Sequence, residues 1–291
     1  MDNLQLFMYL YMYELELWLN AHSEEVLDIS FQSDEANTDR PLKEYLKNII
    51  EKKCNCIIRL QNINYIEICD HEKQSHTYSL DHKVMSAKVE HVYLQEEISP
   101  ELKLLLKKRK NSIFTKPDLC LRINIDGKIE YETLELKSTK TNAIPGSSIQ
   151  QVSPDEWVVF VKHGKKEAEI TTGQYLHTID SKMQFPDRSP RPQVSFSELQ
   201  DWNNLYRKNN DTSIIYNSAD DESFKYKLLT DWQGVLSKRW TKIVLDNKPK
   251  KRQPWFNNNL RKFILEFLSH YDEMSPDTQK KYKESLSKII E

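Results

Sequence analysis

The stretch "PDLCLRINIDGKIEYETLELK", residues 117–137, decides how the rest of the chain is read. Asp126-Gly127 is a two-residue turn signal, and the runs on either side alternate apolar and polar residues, the pattern of a β-hairpin. If Asp126 and Gly127 are the central residues of a type I′ turn, Ile125 pairs with Lys128 and the register of every outer pair is fixed. Arg122 then faces Tyr131, Cys120 faces Thr133, and Asp118 faces Glu135. The period of two places Asp118, Cys120, Arg122 and Asn124 on one face with Tyr131, Thr133, Glu135 and Lys137. Leu119, Leu121, Ile123, Leu134 and Leu136 fall on the other, towards a core. Directly opposed side chains in a sheet stand roughly 4.5–5.5 Å apart at Cβ, so two like charges there repel. Lys137 supplies one compensating charge. A divalent cation between the carboxylates would supply more, and hard oxygen ligands at that spacing suit Mg²⁺. The alternative is a surface hairpin whose acids are screened by water and by Lys137.

Working outward, residues 1–53 read as helical, with "PLKEYLKNIIEKK" (41–53) placing Leu42, Tyr45, Leu46, Ile49 and Ile50 on one face. The segments "CNCIIRLQ", "NYIEICDHE", "HTYSL" and "KVEHVYLQ" predict strands between residues 54 and 95. "SPELKLLLKKRK" (99–110) has the polarity of a helix, with a Ser-Pro start and a basic end. After the hairpin come the loop "NAIPGSS", a nearly continuous apolar strand "EWVVFVKHG", a weaker strand "AEITTGQYLHTI" and a proline-rich loop at 182–194. "SFSELQDWNNLYRK" restarts a helix capped by Ser195 or Ser197, and the C-terminal third reads as helical. The expected class is α/β: a mixed central β-sheet flanked by helices over residues 97–200, a helical and β region at 1–96 and a helical region at 201–291, packed as one body.

Composition narrows the function classes. A chain of 291 residues with 38% hydrophobic content is long enough for an ample core. Four cysteines are too few for a disulfide scaffold, which favours a reducing compartment. The N-terminal run "LQLFMYLYMYELELWL" has no positive flank and carries Glu14 and Glu16, so it is read as a buried helix rather than a leader; a soluble, cytoplasmic protein is expected. Five glycines leave no room for a glycine-rich phosphate loop. Charge is segregated. Residues 1–39 hold nine Asp or Glu and no Lys or Arg, whereas "KKRK" (107–110), "KHGKK" (162–166) and "KPKKRQPWF" (248–256) are basic. Basic clusters of this kind suit a phosphate backbone, with the acidic part facing away from it; solvated surface charge is the plain alternative. Cys54, Cys56, Cys69 and His71 offer four soft donors, but "CxC" with "CxH" departs from structural zinc spacings. Packing as small hydrophobes is the preferred reading.

Pro117-Asp118 followed by Glu135-Leu136-Lys137 on the next strand resembles the PD-(D/E)xK signature of a phosphodiesterase superfamily that includes most type II restriction endonucleases. The match covers about 45 residues, from the helix ending in "KKRK" to the strand "EWVVFVKH". It implies a restriction-endonuclease-like core in which Asp118, Glu135 and the backbone carbonyl of Leu136 hold Mg²⁺, while Lys137 orients or helps deprotonate the attacking water. It also implies a further acid from an upstream helix, for which Glu44, Glu96, Glu97 and Glu101 are candidates. The implied activity is sequence-specific, Mg²⁺-dependent endonuclease cleavage of double-stranded DNA by a homodimer, with a companion DNA methyltransferase acting on the same site. The C-terminal helices are the expected dimer contact. For base reading the residue types point to Asn142, Gln150, Gln151, Arg188, Arg191 and Gln193, and for phosphate contacts to Lys162 and Lys165. Two other functions fit the same residues: a repair, recombination or modification-dependent nuclease, and a DNA-binding module whose acids are structural.

Overall fold

Asp126 (φ 53°) and Gly127 (φ 82°) both adopt positive φ, as a type I′ turn requires. The strands it joins, β4 and β5 below, pair in the register read from the sequence, from Ile125↔Lys128 out to Leu119↔Leu134. The structure is a computed structural model that describes residues 1–27, 29, 40–70, 72–110, 117–144, 152–180, 193–245 and 255–290. In chain order the helices are α1 (Asn3–Ala21), α2 (Ser23–Leu27), α3 (Arg40–Lys52), α4 (His82–Met85), α5 (Pro100–Lys110), α6 (Phe196–Tyr206), α7 (Glu222–Thr230), α8 (Trp232–Leu245), α9 (Trp255–Asp272) and α10 (Pro276–Ile290). The strands are β1 (Tyr65–Cys69), β2 (Ser75–Ser79), β3 (Lys88–Leu94), β4 (Leu119–Ile125), β5 (Lys128–Thr139), β6 (Ala143–Ile144), β7 (Trp157–His163), β8 (Ala168–Gln174), β9 (Ile179–Asp180), β10 (Gln193–Ser195), β11 (Arg207–Asn209) and β12 (Ser213–Tyr216).

The class is α/β with a mixed central sheet. Its five strands run β3-β4-β5-β7-β8, antiparallel except for the parallel pair β5 and β7. One face carries Leu119, Leu121, Ile123, Leu134, Leu136, Trp157, Val159 and Val161 into a core shared with α1 and with Leu42, Leu46, Ile49 and Ile50 of α3. On the other face Cys120 packs with Ile98 and Leu106, next to Tyr131, and Phe160 meets Phe196 of α6 edge-on at 5.4 Å. Burial on both faces explains why β7 reads as an unbroken apolar run. A four-stranded sheet, β11-β12-β1-β2, and a three-stranded one, β6-β10-β9, complete the strands.

Both edges of the central sheet are closed by side chains rather than by further strands. At the β8 edge the N–H of Ile170 donates to Asn20 Oδ1 (3.0 Å) and that of Thr172 to Glu16 Oε2 (2.6 Å). At the β3 edge the N–H of Val92 donates to Glu51 Oε1 (2.9 Å) and that of Leu94 to Glu97 Oε2 (2.8 Å). Each carboxylate or amide satisfies a backbone donor that would otherwise invite another strand. Two acids of the N-terminal run are thus taken up inside the fold rather than displayed on its surface. Glu14 and Glu16 are buried, Glu14 accepting from the N–H groups of Arg59 and Leu60 and Glu16 pairing with Arg207, which also lies over the Tyr13 ring.

"CNCIIRLQ" does not form the expected strand. It makes a single bridge, Cys56↔Lys88, and then turns. The turn lets Cys54, Ile57 and Leu60 all enter the core, and its N–H groups take Glu14 as a cap in place of ladder partners. Ser195 caps α6 as read, accepting from the N–H of Glu198 at 3.3 Å. Among the described residues no helix is long and apolar enough to cross a membrane.

The chain divides into two compact units. One comprises residues 1–184 and 191–230 and contains all three sheets; the other comprises residues 185–190 and 231–291 and contains α8, α9 and α10. In the helical unit Phe267 of α9 faces Tyr282 of α10 with ring centroids 6.3 Å apart, and Leu236 of α8 is buried.

Two consequences can be measured. Arg207→Met leaves Glu16 buried without its counter-charge and should cost about 3–5 kcal/mol in urea unfolding; a loss under about 1 kcal/mol would contradict this role. His177 is stacked on Trp202 at 3.6 Å, and burial, aided by the charge of Lys225, pushes its imidazole well below the ordinary histidine range. The unfolded chain then takes up a proton near pH 6.5 that the folded chain refuses, so stability is full above that pH and falls as pH drops below it. Relative to His177→Phe, the wild type should lose up to about 1.4 kcal/mol per pH unit between pH 6.5 and 5; parallel stability curves would refute the assignment.

Candidate metal and phosphodiester site

The open end of the hairpin brings together residues from three elements. The β4–β5 ladder ends at Leu119↔Leu134, one pair short of the expected Asp118–Glu135 neighbours. Asp118 bends away at this point, and its carboxylate replaces the missing ladder partner: Oδ2 accepts the N–H of Leu136 at 2.8 Å. On β5 the Glu135 carboxylate accepts from Lys137 Nζ at 2.6 Å, two residues along the same face. A third contact comes from far upstream. Lys43 of α3 places its Nζ 2.5 Å from Asp118 Oδ1, with both side chains largely covered.

These charges act on one another. Burial, reinforced by Asp118, raises the Glu135 carboxyl above the ordinary glutamate range, against the opposing pull of Lys137 and Lys43. Burial works against the Lys137 ammonium, but Glu135, Tyr175 and Asp118 outweigh it and hold Lys137 above the usual lysine range. Two carboxylates brought together in a partly buried site repel. Lys43 and Lys137, one on each acid, supply the compensation that the sequence pattern demanded.

The donor set fits a hard divalent cation: two carboxylates and the Leu136 carbonyl, with waters or phosphate oxygens completing the shell. Among the described residues no group of three or more His, Cys, Asp or Glu side chains could hold a metal ion. That applies to Cys54, Cys56 and Cys69, while His71 lies outside the described residues. The candidate upstream acids have other partners. Glu44 and Glu96 contact Arg40 (2.8 and 3.6 Å), Glu97 is held by Lys47 (2.5 Å), and Glu101 sits in the first turn of α5, where its own N–H and Ser99 lower its pKa.

Of the residues expected to contact DNA, Lys162 stands opposite Thr139 in the β5–β7 pairing, one step beyond Lys137 opposite Phe160 on the same face. It is held 3.2 Å from Glu169 and lies over the Phe196 ring. Lys165 is exposed in the turn between β7 and β8. Asn142 is exposed where β5 leads into β6, and its carbonyl accepts from the N–H of Phe196 and from Ser195 Oγ. Gln193 opens β10, which pairs with β6, so the two segments meet in one small sheet. Gln150, Gln151, Arg188 and Arg191 lie outside the described residues, as does most of "KPKKRQPWF".

Sequence reasoning missed Lys43 and Tyr175. Lys43 and Lys47 share one flank of α3, but nothing in their spacing names Asp118 or Glu97 as the partners. No family model, curated protein or solved structure matches this chain.

Lys137→Met removes the charge nearest Glu135 and leaves only the weaker pull of Lys43 against burial there. The Glu135 titration midpoint, followed by its carboxyl ¹³C shift, should rise; an unchanged or lower midpoint would show that the pair does not couple.

Proposed function

We propose that the chain is a Mg²⁺-dependent phosphodiesterase that cuts double-stranded DNA at defined sequences, in the manner of type II restriction endonucleases. The observation that carries this reading is the acidic pair Asp118 and Glu135 at the open end of one hairpin, with Lys137 ion-paired on the same face. Two partly buried carboxylates, each paired with its own lysine, concentrate charge at one point of the fold, as in a site for a hard cation. The mixed sheet and the flanking helices agree with the core that the PD-(D/E)xK resemblance implies.

In this reading Asp118, Glu135 and the Leu136 carbonyl hold the cation beside the scissile phosphate. Bound Mg²⁺ supplies Lewis-acid polarisation and lowers the pKa of coordinated water. Lys137, held above the usual lysine range beside Glu135, would orient the attacking water or help deprotonate it. Water would add to phosphorus, losing a proton to solvent, as the P–O3′ bond breaks and the leaving 3′ oxygen takes up a proton, giving 5′-phosphate and 3′-hydroxyl ends. Lys162 and Lys165 position the backbone, and Asn142 and Gln193 are the described candidates for base edges. Cutting both strands of a symmetric site is simplest for a homodimer, and a companion methyltransferase would protect host DNA in the cytoplasm.

Incubation of the purified protein with unmethylated phage DNA, with Mg²⁺ or with EDTA, tests this directly. Discrete, Mg²⁺-dependent fragments are expected. Asp118→Ala and Lys137→Ala should each slow cleavage by at least about a hundredfold. Absence of cleavage on unmethylated, methylated and branched DNA would overturn the nuclease reading. Equal activity in both variants would relocate the site.

A further inference from the structure

Both carboxylate oxygens of Asp118 are engaged by groups of the chain itself. Oδ2 holds the Leu136 N–H and Oδ1 holds Lys43 Nζ at 2.5 Å. A cation that takes Asp118 as a ligand must therefore compete with an ammonium group already seated there. Charge counting leads to the same point. Asp118 and Glu135 contribute −2 and Lys43 and Lys137 contribute +2, so the cluster is neutral as it stands and would carry +2 once a divalent ion entered. Accumulating that charge in a partly buried site opposes binding.

We propose that Lys43 is a positioning residue that stands in for the metal on Asp118 and thereby sets the affinity of the site for divalent cations. The inference rests on the metal-dependent reading of the hairpin and deepens it. The lysine keeps the carboxylate oriented, and the repulsion from Glu135 balanced, until a cation displaces it. The role is separable from the anchoring of α3. That helix is held by the buried side chains of Leu42, Leu46, Ile49 and Ile50, and one turn on from Lys43 its Lys47 grips Glu97 at 2.5 Å. Loss of Lys43 leaves these contacts in place.

The test is Mn²⁺ binding to the DNA-free protein, read as loss of the free-ion electron paramagnetic resonance signal, in wild type, Lys43→Met, Lys43→Gln, Lys43→Arg and Asp118→Asn. With Lys43 removed the cluster carries −1, and Mn²⁺ should bind at least about tenfold more tightly in both Lys43→Met and Lys43→Gln. Lys43→Arg keeps the charge and should bind like wild type, and the double variant Lys43→Met/Asp118→Asn should lose the gain. Rescue by Lys43→Arg separates loss of the charge from loss of the side chain's packing. Asp118-dependent binding that is unchanged or weaker in both Lys43→Met and Lys43→Gln would overturn the inference and leave the metal site standing. Binding that ignores Asp118 in every variant would overturn the metal reading itself, and the inference with it. Unfolding curves for each variant show whether the fold is intact; if Lys43→Met does not fold, Lys43→Gln alone decides.

Discussion

Charge balance at the open end of the hairpin is the constraint on which the rest of this structure depends. Two acids gathered at one end of the hairpin repel, and burial makes the repulsion expensive because water cannot screen it. The fold answers with two ammonium groups from different sources. Lys137 comes from the same strand as Glu135, whereas Lys43 arrives on a helix that must be docked correctly before its side chain can reach Asp118. The seating of α3 and the chemistry of the hairpin are therefore linked. That helix also covers the β3 edge through Glu51, so one element closes the sheet and neutralises the site.

The same economy recurs at the opposite edge. Glu16 and Asn20 of α1 take the outward N–H groups of β8, and Arg207 balances the buried Glu16. A lone buried carboxylate is strongly unfavourable, but one that accepts a backbone N–H and pairs with arginine satisfies two groups at once. The frame so produced supports the β4–β5 register, and beyond its end Asp118 is held by the Leu136 N–H and by Lys43.

Much of this was legible in the sequence because it is local. Asp126-Gly127 dictates the turn, the turn dictates the register from Ile125↔Lys128 to Leu119↔Leu134, and alternation assigns Glu135 and Lys137 to one face. The helical face of α3 and the apolar run of β7 follow from spacing in the same way. What stayed hidden depends on contacts between residues far apart in the chain. Glu14 and Glu16 look like interruptions of an apolar helix until β8, Arg207 and the turn after Cys56 are placed beside them. Lys43 looks like a solvated lysine until α3 is docked. "CNCIIRLQ" has strand-like residues, but its apolar side chains are better buried by turning than by extending. The end of the ladder, where Asp118 exchanges a backbone bond for a side-chain one, is likewise set by tertiary context rather than by period.

The most direct measurement is the anomalous difference map of crystals soaked in Mn²⁺. One strong peak is expected at the hairpin's open end, within ligand distance of Asp118, Glu135 and the Leu136 carbonyl, with Lys43 withdrawn from Asp118. A peak bound elsewhere, with Lys43 still seated on Asp118, would contradict it.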